Sequence, residues 1–221
     1  MFQSFEIEHG KIIDRSSGPF PYTVTGLAGE VLALEGGHAH IGMVTRGEVS
    51  VADQYGECRL VPGTFFSINH GTVAPLTADA RALIISAPFY NGLRQFGGPL
   101  EATGRLQYVD GCSDTLLLAP ARKGEPCLNH LHIPAHVPQR WHYHPSDRVG
   151  VVSKGHGICH TEAQDFALAP GIGWHIPAGM NHCFETDAES LDVIAWHPDS
   201  DFGPTDEDHP MINRTWAPVK K

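Results

Sequence analysis

Two histidines stand one residue apart in the stretch WHYHPSDRVG (141–150): His142 and His144, with Arg148 four positions further on. A third, His182, closes the stretch GIGWHIPAGMNH (171–182). Alternate residues of an extended strand face the same side, so His142 and His144 can both point into one space. Pro177 and Gly179 make a tight turn that brings His182 back toward them. Three neutral imidazoles with open positions beside them suit Fe, Ni, Cu or Zn, and nitrogen ligands alone do not choose among these metals. One histidine by itself reads as a core or surface group. Three at this spacing point to a metal site.

The elements that must position these residues read as strands. Short β-rich runs such as GMVTRGEVSVAD, ARALIISA, VGVVSKGHGICH and SLDVIAW alternate with Gly- and Pro-marked turns along the chain. Only NGLRQFGG hints at a helical period. This is the pattern of an all-β sandwich or barrel. Sliding the sequence against itself by 108 residues aligns 43–87 with 151–195 without a gap. Arg46-Gly47 falls on Lys154-Gly155, LVPG on LAPG, Ile68 on Ile176, and Leu83 and Ala87 on Leu191 and Ala195. A repeat of this length predicts two copies of one β-domain, 1–107 and 108–221. In the first copy Ala74 stands opposite His182, Leu34 and Gly36 opposite His142 and His144, and His40 opposite Arg148. The first copy is therefore expected to lack a metal and to serve packing or dimerisation.

The two histidine stretches together resemble the motifs of the cupin family. The first motif is HxH, an acid three or four residues later, and then a glycine: here His142, His144, Arg148 and Gly155. The second, G-x5-P-x-G-x2-H, is matched in full by Gly171, Pro177, Gly179 and His182. With the repeat, the chain resembles a bicupin covering nearly all of residues 30–197. That implies two double-stranded β-helix barrels of the jelly-roll kind, with one divalent transition metal on His142, His144 and His182 of the second. The departure is Arg148, which occupies the acid's place. Two accounts are open. Either the site has three histidines and Arg148 lies inside, its planar fork holding a substrate anion, or Arg148 points outward and Asp147 bends in as a fourth ligand. The resemblance implies a metal enzyme. The main expectation is an Fe(II) dioxygenase acting on a small organic acid, thiol or enolisable carbonyl compound. The alternatives are an isomerase, cyclase or lyase using Zn, Ni, Mn or Cu as a Lewis acid, and a non-enzymatic small-molecule binder.

Composition narrows the partners. The formal net charge is −10, and residues 155–213 hold eleven Asp and Glu but no Lys or Arg, so nucleic acid and anionic membranes are not expected partners. A small-molecule substrate and a homodimer are. No leader-like segment opens the chain, and five scattered cysteines without a CxxC pair suggest reduced thiols in the cytoplasm. Eleven of the 15 histidines lie from His130 onward, which places the acid–base or metal chemistry in the second half. Among them His130, His132 and His136 precede the site, and one of them could line it. His156, His160 and His175 are expected in core or surface roles. All four tryptophans also lie in this half and could wall an organic ligand. The segment from 199 onward is patterned enough to fold back over the barrel or to cross to a partner subunit.

Overall fold

The structure, a computed structural model, describes residues 1–217; the last four residues of the expected second domain lie outside the described ones. The strands of the first half are β1 (Gln3–Phe5), β2 (Gly10–Asp14), β3 (Thr23–Ala28), β4 (Leu32–Leu34), β5 (His38–Arg46), β6 (Val49–Asp53), β7 (Gly56–Leu60), β8 (Phe65–Ile68), β9 (Gly71–Pro75), β10 (Arg81–Pro88) and β11 (Gln95–Gly97). Those of the second are β12 (Leu106–Gln107), β13 (Ser113–Leu118), β14 (Cys127–Ile133), β15 (Arg148–Gly155), β16 (Gly157–Thr161), β17 (Asp165–Leu168), β18 (Gly173–Ile176), β19 (His182–Glu185) and β20 (Leu191–His197). One α-helical turn, Pro210–Asn213, follows. The hinted helix at NGLRQFGG is absent: its last residues form β11, which pairs with β8.

Each half folds a large sheet over a small one. The first has the order β11-β8-β5-β10-β3-β2 facing β4-β9-β6-β7; the second has β1-β18-β15-β20-β14-β13-β12 facing β17-β16-β19. Three apolar cores follow. One, with Leu27, Val44, Phe66 and Ile84, fills the first barrel. Another, with Val152, Trp174, Phe184 and Val193, fills the second. The third lies between the two large sheets and joins Val24, Met43, Leu83 and Ile85 to Leu128, Val149, Ile194 and Trp196. This explains why Ala82–Ile85 of β10 and Val193–Trp196 of β20 read as unbroken apolar runs. Both of their faces are covered: Ala82 and Ile84 look into a barrel while Leu83 and Ile85 look into the seam. Sheet pairing also crosses the division expected at 107/108, because β1 and β12 both belong to the second large sheet.

The repeat is real in three dimensions, with one correction. Met43 pairs with Phe65 as Val151 pairs with Gly173, an offset of 108. Both barrels place a glycine beneath an aromatic ring: a Cβ on Gly42 would meet Phe66 at 2.1 Å, and one on Gly150 would meet Trp174 at 2.4 Å. Later strands are displaced by three more residues. Met43 pairs with Leu83, whereas Val151 pairs with Ile194, an offset of 111. The ungapped match of Leu83 to Leu191 therefore fails. The extra residues lie in the turn between β18 and β19, the turn that delivers His182. Ala52 pairs with Thr72 as His160 pairs with Cys183, so the residue standing where His182 stands, one before each, is Gly71, not Ala74.

Candidate metal centre

His142 and His144 are not on a regular strand. They lie in the extended segment before β15, tied to the rest by an isolated antiparallel bridge between His142 and His182. The bridge is two backbone bonds of 2.9 Å, one in each direction, and the Gly179 N–H donates to the His144 carbonyl at 2.8 Å. Backbone bonds thus lock the two motifs together. One side-chain nitrogen from each of the three histidines lies within 4.8 Å of the other two, and the ring centroids stand 4.5–5.2 Å apart.

The hydrogen bonds fix which nitrogen is free. His142 Nδ1 lies 2.8 Å from the Arg140 carbonyl, and His182 Nδ1 lies 2.9 Å from the Met180 carbonyl. A carbonyl only accepts, so each Nδ1 carries the proton and each Nε2 presents a lone pair. His182 Nε2 is buried without a partner, an orphan acceptor of the kind a bound cation satisfies. Burial and the neighbouring Arg148 cation hold His144 down to about 2; burial, despite the Met180 bond, holds His182 down to about 4. Both imidazoles are neutral at physiological pH, the state that ligates. An ion with metal–nitrogen bonds of ~2.1 Å spans donors up to ~4.2 Å apart, so small ring rotations complete the set. The residues fit a divalent transition metal.

Arg148, the first residue of β15, is buried and lines the same cavity, of about 230 Å³, as His142, His144 and His197. Its Nη1 donates to the Ser146 carbonyl at 3.0 Å, the Ser146 hydroxyl at 2.6 Å and the Asp147 carbonyl at 3.1 Å. Ser146 in turn donates to Asp199. Arg148 Nε is buried with no partner. Burial draws the guanidinium below its ordinary pKa, and it stays a cation.

Asp147 points the other way. Its Oδ2 accepts from the Tyr22 hydroxyl at 2.7 Å and lies 3.0 Å from His175 Nε2; its Oδ1 accepts from the Ala178 N–H at 2.8 Å. Burial would raise this carboxyl, but these bonds outweigh it and hold it below its ordinary range. The account in which Asp147 is a fourth ligand is therefore corrected: its oxygens are committed on the far side of the segment. His40, the counterpart of Arg148, has both nitrogens engaged, by Ser86 and by the Glu35 carbonyl, each at 2.8 Å.

The remaining candidates scatter. His130 and His132 both bond Asp192 at 2.8 Å, and His136 is exposed. His156 and His160 pair with acids, His156 with Glu189 and His160 with Asp165 and Glu185. Trp174 walls the cavity, Trp196 packs on Tyr22 in the seam, and Trp141 and Trp216 are exposed. The segment from Asp199 folds back onto the 122–125 turn, through Lys123 N–H to Pro204, Gly124 N–H to Ser200, and an Arg122–Asp206 ion pair. Two cavity residues went unread in the sequence. His197 ends β20 and is held down to about 3 by burial and by Arg148, and Asp114 lies on β13. Asp114 lies in the polar start of β13, between Ser113 and Thr115, and His197 is the last residue of its strand, so neither has a spacing that marks it.

Two sheets closed face to face, with a three-histidine cluster between their strands at one end, define the cupin barrel, and the chain has the cupin fold. It is similar to a cupin 2 conserved barrel domain protein from Leptotrichia buccalis, with a TM-score of 0.61 and 17% identity over 89% of this chain and 88% of that one. AerE from Microcystis aeruginosa matches with a TM-score of 0.56 and 11% identity over 80% and 86% of the two chains. Oxalate decarboxylase from Bacillus subtilis, in a structure concerned with its Mn(II) centres, matches with a TM-score of 0.52 and 10% identity over 90% and 78%. No protein-family model and no curated protein sequence matches the chain. Among the described residues no helix is long and apolar enough to cross a membrane.

Proposed function

We propose that the chain is a mononuclear metal enzyme, an Fe(II) dioxygenase that takes a small organic acid. His142, His144 and His182 would hold the ion. The observation that carries the substrate class is Arg148, a buried cation that lines the cavity beside His142 and His144 and has, among the described residues, no carboxylate partner and no hydrogen bond to its Nε. A buried charge left unpaired costs several kcal/mol, so the position favours an anionic ligand. Nη1 is held by Ser146 and Asp147, which fixes the plane of the guanidinium and leaves its Nε side for a carboxylate. Neutral His197 and the apolar wall of Trp174, Phe184 and Val193 exclude water around the bound acid. The metal, when bound, would supply redox chemistry toward O2 and polarise the substrate.

A second reading is a non-redox isomerase, lyase or decarboxylase. It is favoured by the uncharged donor set, which leaves a divalent ion its full charge as a Lewis acid, and by the Mn(II) centres named for the oxalate decarboxylase neighbour. Elemental analysis and oxygen uptake across a panel of small carboxylates separate the two. Substrate-dependent O2 consumption with Fe(II) upholds the dioxygenase; turnover without it upholds the second reading. Unchanged metal content in a His142→Ala/His144→Ala double variant overturns both.

A further inference from the structure

The cavity holds a second charged group that the proposed chemistry does not use. Asp114, on β13, lines it together with Asn129 on β14. The Asn129 amide donates to both Asp114 oxygens, at 2.8 and 3.0 Å. No cation pairs with Asp114 among the described residues, and burial raises its carboxyl above the ordinary range. One cavity thus carries an unpaired carboxyl and an unpaired guanidinium that do not meet. The strands carrying the two poles are three apart in the sheet order β15-β20-β14-β13. Between the poles the wall is apolar: Leu131, Trp174, Phe184 and Val193.

A buried cation and a half-buried carboxylate in one small cavity gain most by pairing with each other or with a ligand that joins them. Here the first is precluded, because Arg148 is held back by Ser146 and Asp147, and Asp114 by Asn129. We propose that Asp114 and Asn129 form the second pole of the substrate site, and that the ligand is a small zwitterion. Its carboxylate lies on Arg148, its ammonium lies on Asp114, and a short apolar body spans the wall between. This rests on the reading of Arg148 as the carboxylate site and adds the other end of the molecule. Asn129 orients the carboxyl by its amide and leaves the oxygens' remaining lone pairs for the ammonium. A plain monocarboxylate would satisfy one pole and leave the other desolvated and unpaired.

The test is calorimetric binding to the purified protein of pentanoate against 5-aminopentanoate and of hexanoate against 6-aminohexanoate. The amino acid of at least one pair binds about tenfold or more tightly than its plain partner, the worth of a hydrogen bond to a charged group. In Asp114→Asn, which keeps an acceptor for Asn129 but removes the charge, the preference falls to about onefold. Equal binding within both pairs in the wild type overturns the inference, as does a preference that survives in Asp114→Asn. In either case, plain acids that weaken in Arg148→Ala leave the carboxylate site standing. If neither kind of acid binds, both readings fall together.

Discussion

Arg148 is fastened through Nη1 and lines the cavity without being one of the three histidine donors, so its loss and the loss of a metal ligand have different signatures. Arg148→Ala should leave metal content near wild type and weaken a small carboxylate by about 1.5–3 kcal/mol, read by calorimetry. Arg148→Lys should recover only part, because an ammonium lacks the planar fork. The histidines add a pH dependence. His182 is fully buried, with its folded pKa near 4, below the ordinary ~6.5 of an unfolded chain. Between those values the unfolded chain binds a proton that the folded one refuses. Stability is therefore full above pH ~6.5 and falls as pH drops toward 4. For His182 alone the loss from pH 7 to pH 5 is about 2 kcal/mol, and His144 and His197 act in the same direction. Urea unfolding of metal-free protein at the two pH values measures it; equal midpoints would contradict the buried neutral histidines.

At the scale of elements, the feature that positions the site is the Asp147 carboxylate. It sits in the segment of His142 and His144, accepts from Ala178 in the turn that leads to His182, and accepts from Tyr22 of the first barrel. Asp147→Ala should destabilise the protein by about 2–3 kcal/mol, since Tyr22, His175 and the Ala178 N–H all lose a charged partner. It should also weaken metal binding, with Asp147→Asn intermediate; a competition assay with a chelating dye reads the affinity. The two histidine stretches announce the site in the sequence because an extended segment and a turn fix their spacing. The direction of Asp147 could not be read there. The segment after Pro145 is irregular, so strand alternation does not apply, and its partner Tyr22 lies 125 residues away. The repeat was legible in its turns, where glycine and proline are dictated by backbone shape. It misled at Ala74, because a three-residue lengthening of one turn leaves the flanking apolar pattern nearly in phase. His197 and Asp114 became visible only when the sheet closed and placed them around one cavity with Arg148.

At the scale of the molecule, the two barrels share an apolar seam, and β1 crosses it. Gln3, Ser4 and Phe5 pair with His175, Trp174 and Gly173, while Phe2 packs in the second barrel's core with its ring 4.4 Å from that of Phe166. Phe2→Ala should cost about 3–5 kcal/mol, seen as a lowered Tm in one cooperative transition, and should broaden tryptophan signals from Trp174 on the neighbouring strand. That arrangement has a consequence for how the protein comes into being. During synthesis the strand that edges the second large sheet emerges about 170 residues before its pairing partner. At 5–20 residues per second it waits on the order of ten seconds or more for its place. The second barrel completes its sheet only by reaching back past the whole of the first.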